Sequence, residues 1–298
     1  MTRANRALVA AVPFLWLIVF FLVPFLIVAR ISLSDDALAQ PPYEPLLDFS
    51  AGWAGLRDFI AALDFETYAF VLGDRLYVYS YLQSVWIAAL STVILALIGF
   101  PIAYAITRAP ATWRPILVML VILPFWTSFL IRVYAWMGIL AREGLLNQLL
   151  LALGLVDEPV EMLASNGAVI LGIVYAYLPF MVLPLYAALN RLDESLLEAA
   201  ADLGAPPWKG FWLVTFPLAL PGLVAGALLC FIPAVGEFVI PDLLGGSDTL
   251  MIGRTLWTEF FANRSWSVAA AIAVLLLLVL VVPLALYQNV QARSLERG

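Results

Sequence analysis

The sequence predicts an all-α integral membrane protein, and two observations carry that expectation: an apolar excess and long apolar runs that are almost free of charge. Hydrophobic residues make up 64% of the 298 and charged residues 12%, with a mean hydropathy of +1.00, a balance that a water-soluble fold cannot cover with polar surface. Apolar runs recur at about 8–29, 79–106, 116–140, 168–189, 214–240 and 268–287. At 1.5 Å per helical residue, such runs match a hydrocarbon layer about 30 Å thick. The chain has no histidine and one cysteine, Cys230, which removes imidazole–thiolate metal sites and any internal disulfide framework. No extended basic tract is present, so nucleic acid is not an expected partner.

The first run follows Arg3 and Arg6 in the manner of a secretory signal. It is longer than a signal core and has no clear small-residue cleavage site, so a retained first span is expected. An outer loop, 31–78, comes next. It carries the turn sequence Gln40-Pro41-Pro42-Tyr43, many acidic residues and the aromatics Trp53, Phe59, Phe65 and Tyr68, which suit a small cap or an interfacial layer. Six spans put both termini on one side, and the cytoplasm is the side expected. With that orientation the inner segments hold eight basic residues and the outer ones seven, which orients the chain only weakly. Counting acids as well gives the inner segments a net +3 and the outer segments −8, a field suited to a small cationic solute or a basic partner surface.

The region 190–213 joins the fourth and fifth runs and has the most specific local pattern. Helix formers fill Leu196–Leu203, Asp193 and Ser195 can hold the entrance, Gly204 can end the helix, and Pro206-Pro207 prevents its continuation. A short surface helix is expected, with Leu192, Leu196 and Leu203, the small pair Ala199-Ala200, and acidic Glu194, Glu198 and Asp202 at its rim. Small residues permit a partner surface to approach closely. The acids make anionic lipid a poorer match than a groove on another protein.

Glu198-Ala199-Ala200, Gly204 and Val214-Thr215-Phe216-Pro217 resemble the Glu-Ala-Ala loop of permeases in binding-protein-dependent ABC transporters, with valine and phenylalanine at its later apolar positions. Leu123 to Trp136, Phe231 to Pro241 and Leu243-Leu244-Gly245-Gly246 are similar to spermidine/putrescine permeases, putrescine permeases especially. The resemblance covers most of the chain. It implies a six-span type I ABC importer permease fold over a single domain, 1–298, in a bacterial inner membrane. It also implies a related permease, two cytoplasmic ATPases and an extracytoplasmic solute-binding protein as partners. Glu198, Ala199, Ala200, Asp202 and Gly204 would then form the ATPase-coupling surface. The sequence lacks a Gly-x-x-x-x-Gly-Lys-Ser/Thr phosphate loop, so ATP and Mg2+ belong to the partner ATPases, and this chain is expected to bind no cofactor and to catalyse no reaction.

Candidate pathway or gate residues are Trp126 and Tyr134 in the third run, Tyr175 in the fourth and Glu237 in the fifth. Aromatic faces attract ammonium groups, and a carboxylate can replace part of an amine's hydration. Each residue also has a structural role open to it. Aromatics anchor spans at interfaces, and Glu237, about 35 Å along an ideal helix from Val214, can lie at the outer edge or be turned into a cavity by Pro233 and Gly236. Arg132 would repel a polyamine and is expected to meet a carboxylate or the outer interface. Gln83, Ser84, Gly99 and Pro101 in the second run, Tyr177, Pro179 and Pro184 in the fourth, and Gly222 and Gly226 in the fifth suit either gating or packing.

Overall fold

A backbone in hydrocarbon must satisfy its own N–H and C=O groups, and apolar runs free of turn formers do so as helices. The computed structural model describes residues 11–46, 50 and 52–295, without the side chains of 56, 282, 283 and 286–295. Helix α1 is Ala11–Ile31 and contains a π turn at Ile18–Leu22. A short antiparallel pair follows, β1 (Asp35–Asp36) and β2 (Tyr43–Glu44), then α2 (Gly52–Ala61) and α3 (Glu66–Gly73). Next come α4 (Arg75–Arg108), α5 (Arg114–Trp126), α6 (Phe129–Leu140), α7 (Leu145–Ala152) and α8 (Asn166–Leu189). The connector helix α9 (Ser195–Asp202) leads to α10 (Pro207–Val235), α11 (Val239–Leu244), α12 (Ile252–Trp257, continued by a π turn at Thr258–Asn263) and α13 (Trp266–Leu295).

Among the described residues α1, α4, α8 and α10 are long and apolar enough to cross a membrane, the bent pair after Arg114 makes a fifth, and α13 contributes the shorter apolar stretch Trp266–Val281. The runs at 79–106, 168–189 and 268–287 fall inside α4, α8 and α13. Residues 8–10 of the first run, with Arg3, Arg6 and Arg297, lie outside the described residues.

The runs at 116–140 and 214–240 are not continuous helices. In the first, the helices Arg114–Trp126 and Phe129–Ala152 meet at 86°. Pro124 has no N–H to continue the ladder, the chain tightens into a 3-10 turn over Leu123–Trp126, and Thr127 is extended with ψ 156°. The carbonyl of Pro124, left outside the helical ladder, accepts from Thr127 N–H (3.3 Å), Thr127 Oγ1 (2.8 Å) and Arg132 Nη1 (2.6 Å). The 214–240 run stops at Gly236 and restarts as α11.

By packing, the described residues form two units, one of those up to Tyr79 together with those from Thr255 onward, the other Ser80–Arg254, where the sequence suggests a single domain. In the first unit α1 and α3 pack on α13. Asp36 holds the start of α13, with Oδ1 accepting Ser267 N–H at 3.0 Å and Oδ2 bonded to Ser265 Oγ. Ser32 Oγ meets Tyr68 OH at 2.6 Å, and Arg30 lies 4.8 Å from the Phe59 ring while donating to the Pro45 carbonyl at 3.2 Å. Thus part of the 31–78 loop is ordered by contacts to α1 and α13, while Trp53 and Phe65 remain exposed.

The second unit is built around α8 against α10. Lipid supplies no hydrophobic drive between helices, so close backbone approach and packing must hold this pair. Gly222 and Gly226 supply the approach: a Cβ on Gly222 would lie 2.5 Å from Ala188 Cβ and 2.7 Å from the Pro184 carbonyl, and one on Gly226 would lie 3.0 Å from Met181 Sδ. Leu95, Phe100, Met181, Val182, Leu185, Ala219 and Cys230 fill the surrounding core. Gly222→Val is therefore expected to push the two helices apart and to lower stability by about 1–3 kcal/mol. Thermal unfolding of the detergent-solubilised protein measures this, and an unchanged midpoint would contradict the close approach.

Candidate coupling surface and solute pathway

The connector begins where α8 runs out of apolar residues. Asn190 N–H closes the last turn on the Tyr186 carbonyl at 2.8 Å, and Asp193 Oδ1 accepts Ser195 N–H at 3.0 Å to set the entrance of α9. The backbone N–H and hydroxyl of Ser195 both favour the ionised carboxylate, which holds Asp193 below the ordinary carboxyl range. Helix α9 starts one residue earlier than the 196–203 expected from propensity and ends one earlier.

At its other end, Gly204 takes φ +79°, Gly204 N–H donates to the Ala201 carbonyl (2.8 Å) and Ala205 N–H to the Ala200 carbonyl (3.0 Å). This pair of bonds is a Schellman closure, which requires the left-handed conformation that glycine adopts without a Cβ penalty. Pro206 is extended, and Pro207 opens α10 at the first helical position, where a missing N–H costs no bond.

The closure presents one face of α9 outward. Glu198, Ala199, Ala201, Asp202 and Gly204 are exposed, and Leu203 is 89% exposed. Ala200, Leu192 and Leu197 are half-buried, and Leu197 Cδ2 would lie 3.6 Å from a Cβ on Gly210. Of the five expected coupling residues, four therefore face outward and Ala200 turns toward the protein. Glu198 and Asp202, four residues apart, share a helix face.

A small groove of about 60 Å³ lies behind α9, lined by Tyr104 and Arg108 of α4, Arg114, Asn190, Glu194 and Thr215 among others. Arg108 Nη1 stands 3.9 Å from Glu194 Oε1, and Arg114 Nη1 donates to Asn190 Oδ1 at 3.4 Å. Both contacts are solvent-accessible and energetically slight, so they orient the connector more than they stabilise it.

The four pathway candidates are not gathered into one pocket. Trp126 is 77% exposed at the end of the 3-10 turn, and Tyr134 is exposed on α6. Tyr175 meets Trp136 edge-on, with ring centroids 5.5 Å apart. Glu237 is 8% exposed, and its carboxylate accepts from Tyr177 OH (2.7 Å), Val239 N–H (3.1 Å) and Ile240 N–H (3.5 Å). It thus bridges the helix break, capping α11 and binding α8. The sequence marks Tyr177 as suited to gating or packing but does not pair it with Glu237. The available signal was the need of a carboxylate in an apolar run for a donor nearby. Phe180 links Tyr177 to Phe125, at 6.0 and 5.4 Å. Arg132 meets no carboxylate among its described contacts: it donates to the Pro124 carbonyl and lies 5.6 and 5.9 Å from the rings of Phe125 and Phe129.

A helical bundle with broken spans and an outward-facing connector between its fourth and fifth apolar runs is the fold of type I ABC importer permeases. A chain of the bacterial importer of the acidic polysaccharide alginate superposes with a TM-score of 0.69 at 16% identity, covering 97% of this chain and 96% of that one. A chain of the MetNI methionine transporter, in an inward-facing conformation, matches with a TM-score of 0.54 at 21% identity, over 73% and 95%.

The chain belongs to the family of binding-protein-dependent transport system inner membrane components, which it matches over residues 7–295. The spermidine/putrescine transport system permease protein PotB of Haemophilus influenzae is 37% identical over 270 residues, 90% of this chain and 88% of that protein. PotB of Escherichia coli K12 is 41% identical over 214 residues, 72% and 78% of the two chains. The molybdenum transport system permease protein ModB of Mycobacterium bovis is 34% identical over 207 residues, 68% and 75%. The protein is accordingly a multi-pass, non-catalytic membrane permease component, and the ATPase of such a system is a separate subunit.

Gly204→Ala is expected to destabilise the connector by about 1 kcal/mol, because its φ places a Cβ in the left-handed region although no neighbouring atom obstructs it. Gly204→Asn should cost less. Hydrogen exchange of the Ala200–Ala205 backbone reads the difference, and equal protection in all three proteins would exclude the glycine closure.

Because the folded Asp193 carboxyl titrates below its unfolded value, its contribution to the connector is present above about pH 4 and lost as pH falls through the depressed value. Exchange at Ser195 should accordingly rise only on that acid limb, once corrected for intrinsic rates, and Asp193→Asn should abolish the dependence.

Proposed function

We propose that this chain is the permease subunit of an ATP-driven polyamine importer, with putrescine favoured over spermidine as the solute. The observation that carries the reading is the similarity to spermidine/putrescine permeases along 90% of the chain. An exposed, capped connector helix at the position where the sequence resembles the Glu-Ala-Ala loop supports the coupling role.

In this reading the chain pairs with a related permease, two ATPases bind the inner face, and an extracytoplasmic binding protein delivers the solute. ATP and Mg2+ act at the ATPases. Both termini are cytoplasmic. Glu198 and Asp202 orient α9 on the ATPase, Ala199 permits close seating, Ala200 packs α9 against its own chain, and Gly204 sets the exit turn. ATPase closure draws the connectors together and rotates the spans, so that access alternates between the two faces. Trp126, Tyr134, Tyr175 and Glu237 are the pathway or gate positions. The similarity to a molybdenum permease favours, as a second reading, an import permease of the same architecture for another small solute.

Reconstitution of the whole transporter, followed by ATP-dependent uptake in competition with putrescine, spermidine and unrelated solutes, tests the reading. Uptake that persists after removal of the ATPase, or competition by neither polyamine, would refute the corresponding part. Gly204→Asp should insert in the membrane normally and lower uptake and ATPase recruitment together. If Glu237→Gln leaves uptake unchanged across solute concentrations, Glu237 has no direct role toward the solute.

A further inference from the structure

Gln83 lies in an apolar stretch of α4 and is 7% exposed. An amide in that environment is costly unless its donors and acceptor are all engaged. Here Nε2 donates to the Asp248 carbonyl (3.1 Å) and to Asn166 Oδ1 (3.2 Å), while Oε1 accepts Leu250 N–H (3.0 Å). On the next residue, Ser84 Oγ accepts Ile252 N–H at 2.7 Å. Two adjacent side chains of α4 therefore bind backbone atoms of residues 248, 250 and 252, the alternation with which a neighbouring strand would bind them. Asn166 Oδ1, at the start of α8, also accepts Thr249 Oγ1 at 2.8 Å, so the segment is clasped between two helices.

Steric fit reinforces the clasp. A Cβ on Gly246 would lie 2.4 Å from the Ala164 carbonyl, and one on Gly253 2.3 Å from the Gly236 carbonyl. Ile240 and Leu244 of α11 are fully buried, and a Cβ on Gly172 of α8 would come within 2.8 Å of both. Arg254 ties the end of the segment to Asp242 (3.2 Å) and to the Gly246 carbonyl (3.0 Å). Because α9 joins the end of α8 to the start of α10, the start of α8 and the end of α10 lie away from the connector.

We propose that Gln83 is a positioning residue for transport: by holding the backbone of Asp248–Leu250 between α4 and α8, it fixes the segment beyond Glu237 and α11 at the face that receives the solute. The proposal rests on the importer reading. Its mechanical part, the clasp itself, does not require a particular solute.

The test uses the complete reconstituted transporter with a Met251→Cys reporter. Met251 is buried in the clasped segment, and the native Cys230 is buried as well, so both thiols should react slowly with a membrane-impermeant maleimide. Adding Gln83→Leu, which removes three hydrogen bonds at similar volume, is expected to raise the reporter's modification rate about tenfold. The same change, without the reporter, should raise the half-saturating concentration of loaded binding protein about tenfold with maximal uptake retained. Gln83→Glu keeps the acceptor for Leu250 but sets a carboxylate oxygen against the Asp248 carbonyl and Asn166 Oδ1, and should raise the modification rate at least as far as Gln83→Leu.

Unchanged modification in Gln83→Leu would overturn the clasp, and faster modification with an unchanged half-saturation would overturn the positioning role. Should Gln83→Leu fail to assemble, Thr249→Val, which removes the contact to Asn166, carries both measurements with smaller rises expected. Failure of the parent transporter to take up polyamine would sink the substrate assignment and leave the maleimide result to decide the clasp.

Discussion

The need to satisfy every backbone polar group inside hydrocarbon governs the rest of this structure. Unbroken helices meet it locally. At each break a side chain or a special conformation supplies what the ladder has lost. Pro124 leaves a carbonyl that Thr127 and Arg132 take up, and the restart after Gly236 has its N–H groups capped by Glu237. The same accounting explains why polar residues in the apolar runs are so few and why Gln83, Ser84 and Glu237 are engaged, whereas Ser91 Oγ and Thr215 Oγ1 are buried without a hydrogen-bond partner among the described residues.

Seen this way, the residues that look most suited to meet a solute have structural partners already. Arg132 is bound to a carbonyl and two rings, and Glu237 holds α8 to α11 through Tyr177. A role in the pathway for Glu237 would therefore act on a carboxylate fixed in place, with little freedom to reorganise as the solute arrives. Preorganisation of this kind favours binding, because orientation has been set during folding. On α9 the arrangement is reversed: the helix is fixed at both ends by local bonds, and Glu198, Ala199 and Asp202 are exposed.

The connector was the most legible part of the site. Its entrance, exit and exposed face follow from near-neighbour chemistry: Asp193 caps Ser195, Gly204 closes on Ala200 and Ala201, and prolines forbid continuation. The pathway region was much less legible, because its contacts join residues far apart in the chain. Nothing local to Glu237 identifies Tyr177, sixty residues away, as its donor. Likewise the third run reads as one span by length and hydropathy, and only the fate of the Pro124 carbonyl shows why it turns.

By itself the sequence determined the solvent, the secondary structure and the connector, since hydropathy, helix capping and glycine or proline geometry act over a few residues. Only the tertiary structure decided which buried groups meet across helices. Gln83 reading the backbone of Asp248 and Leu250, and Gly222 admitting Ala188, depend on helix register and rotation. Those are set collectively by packing in lipid, where no water ranks one face of an apolar helix above another.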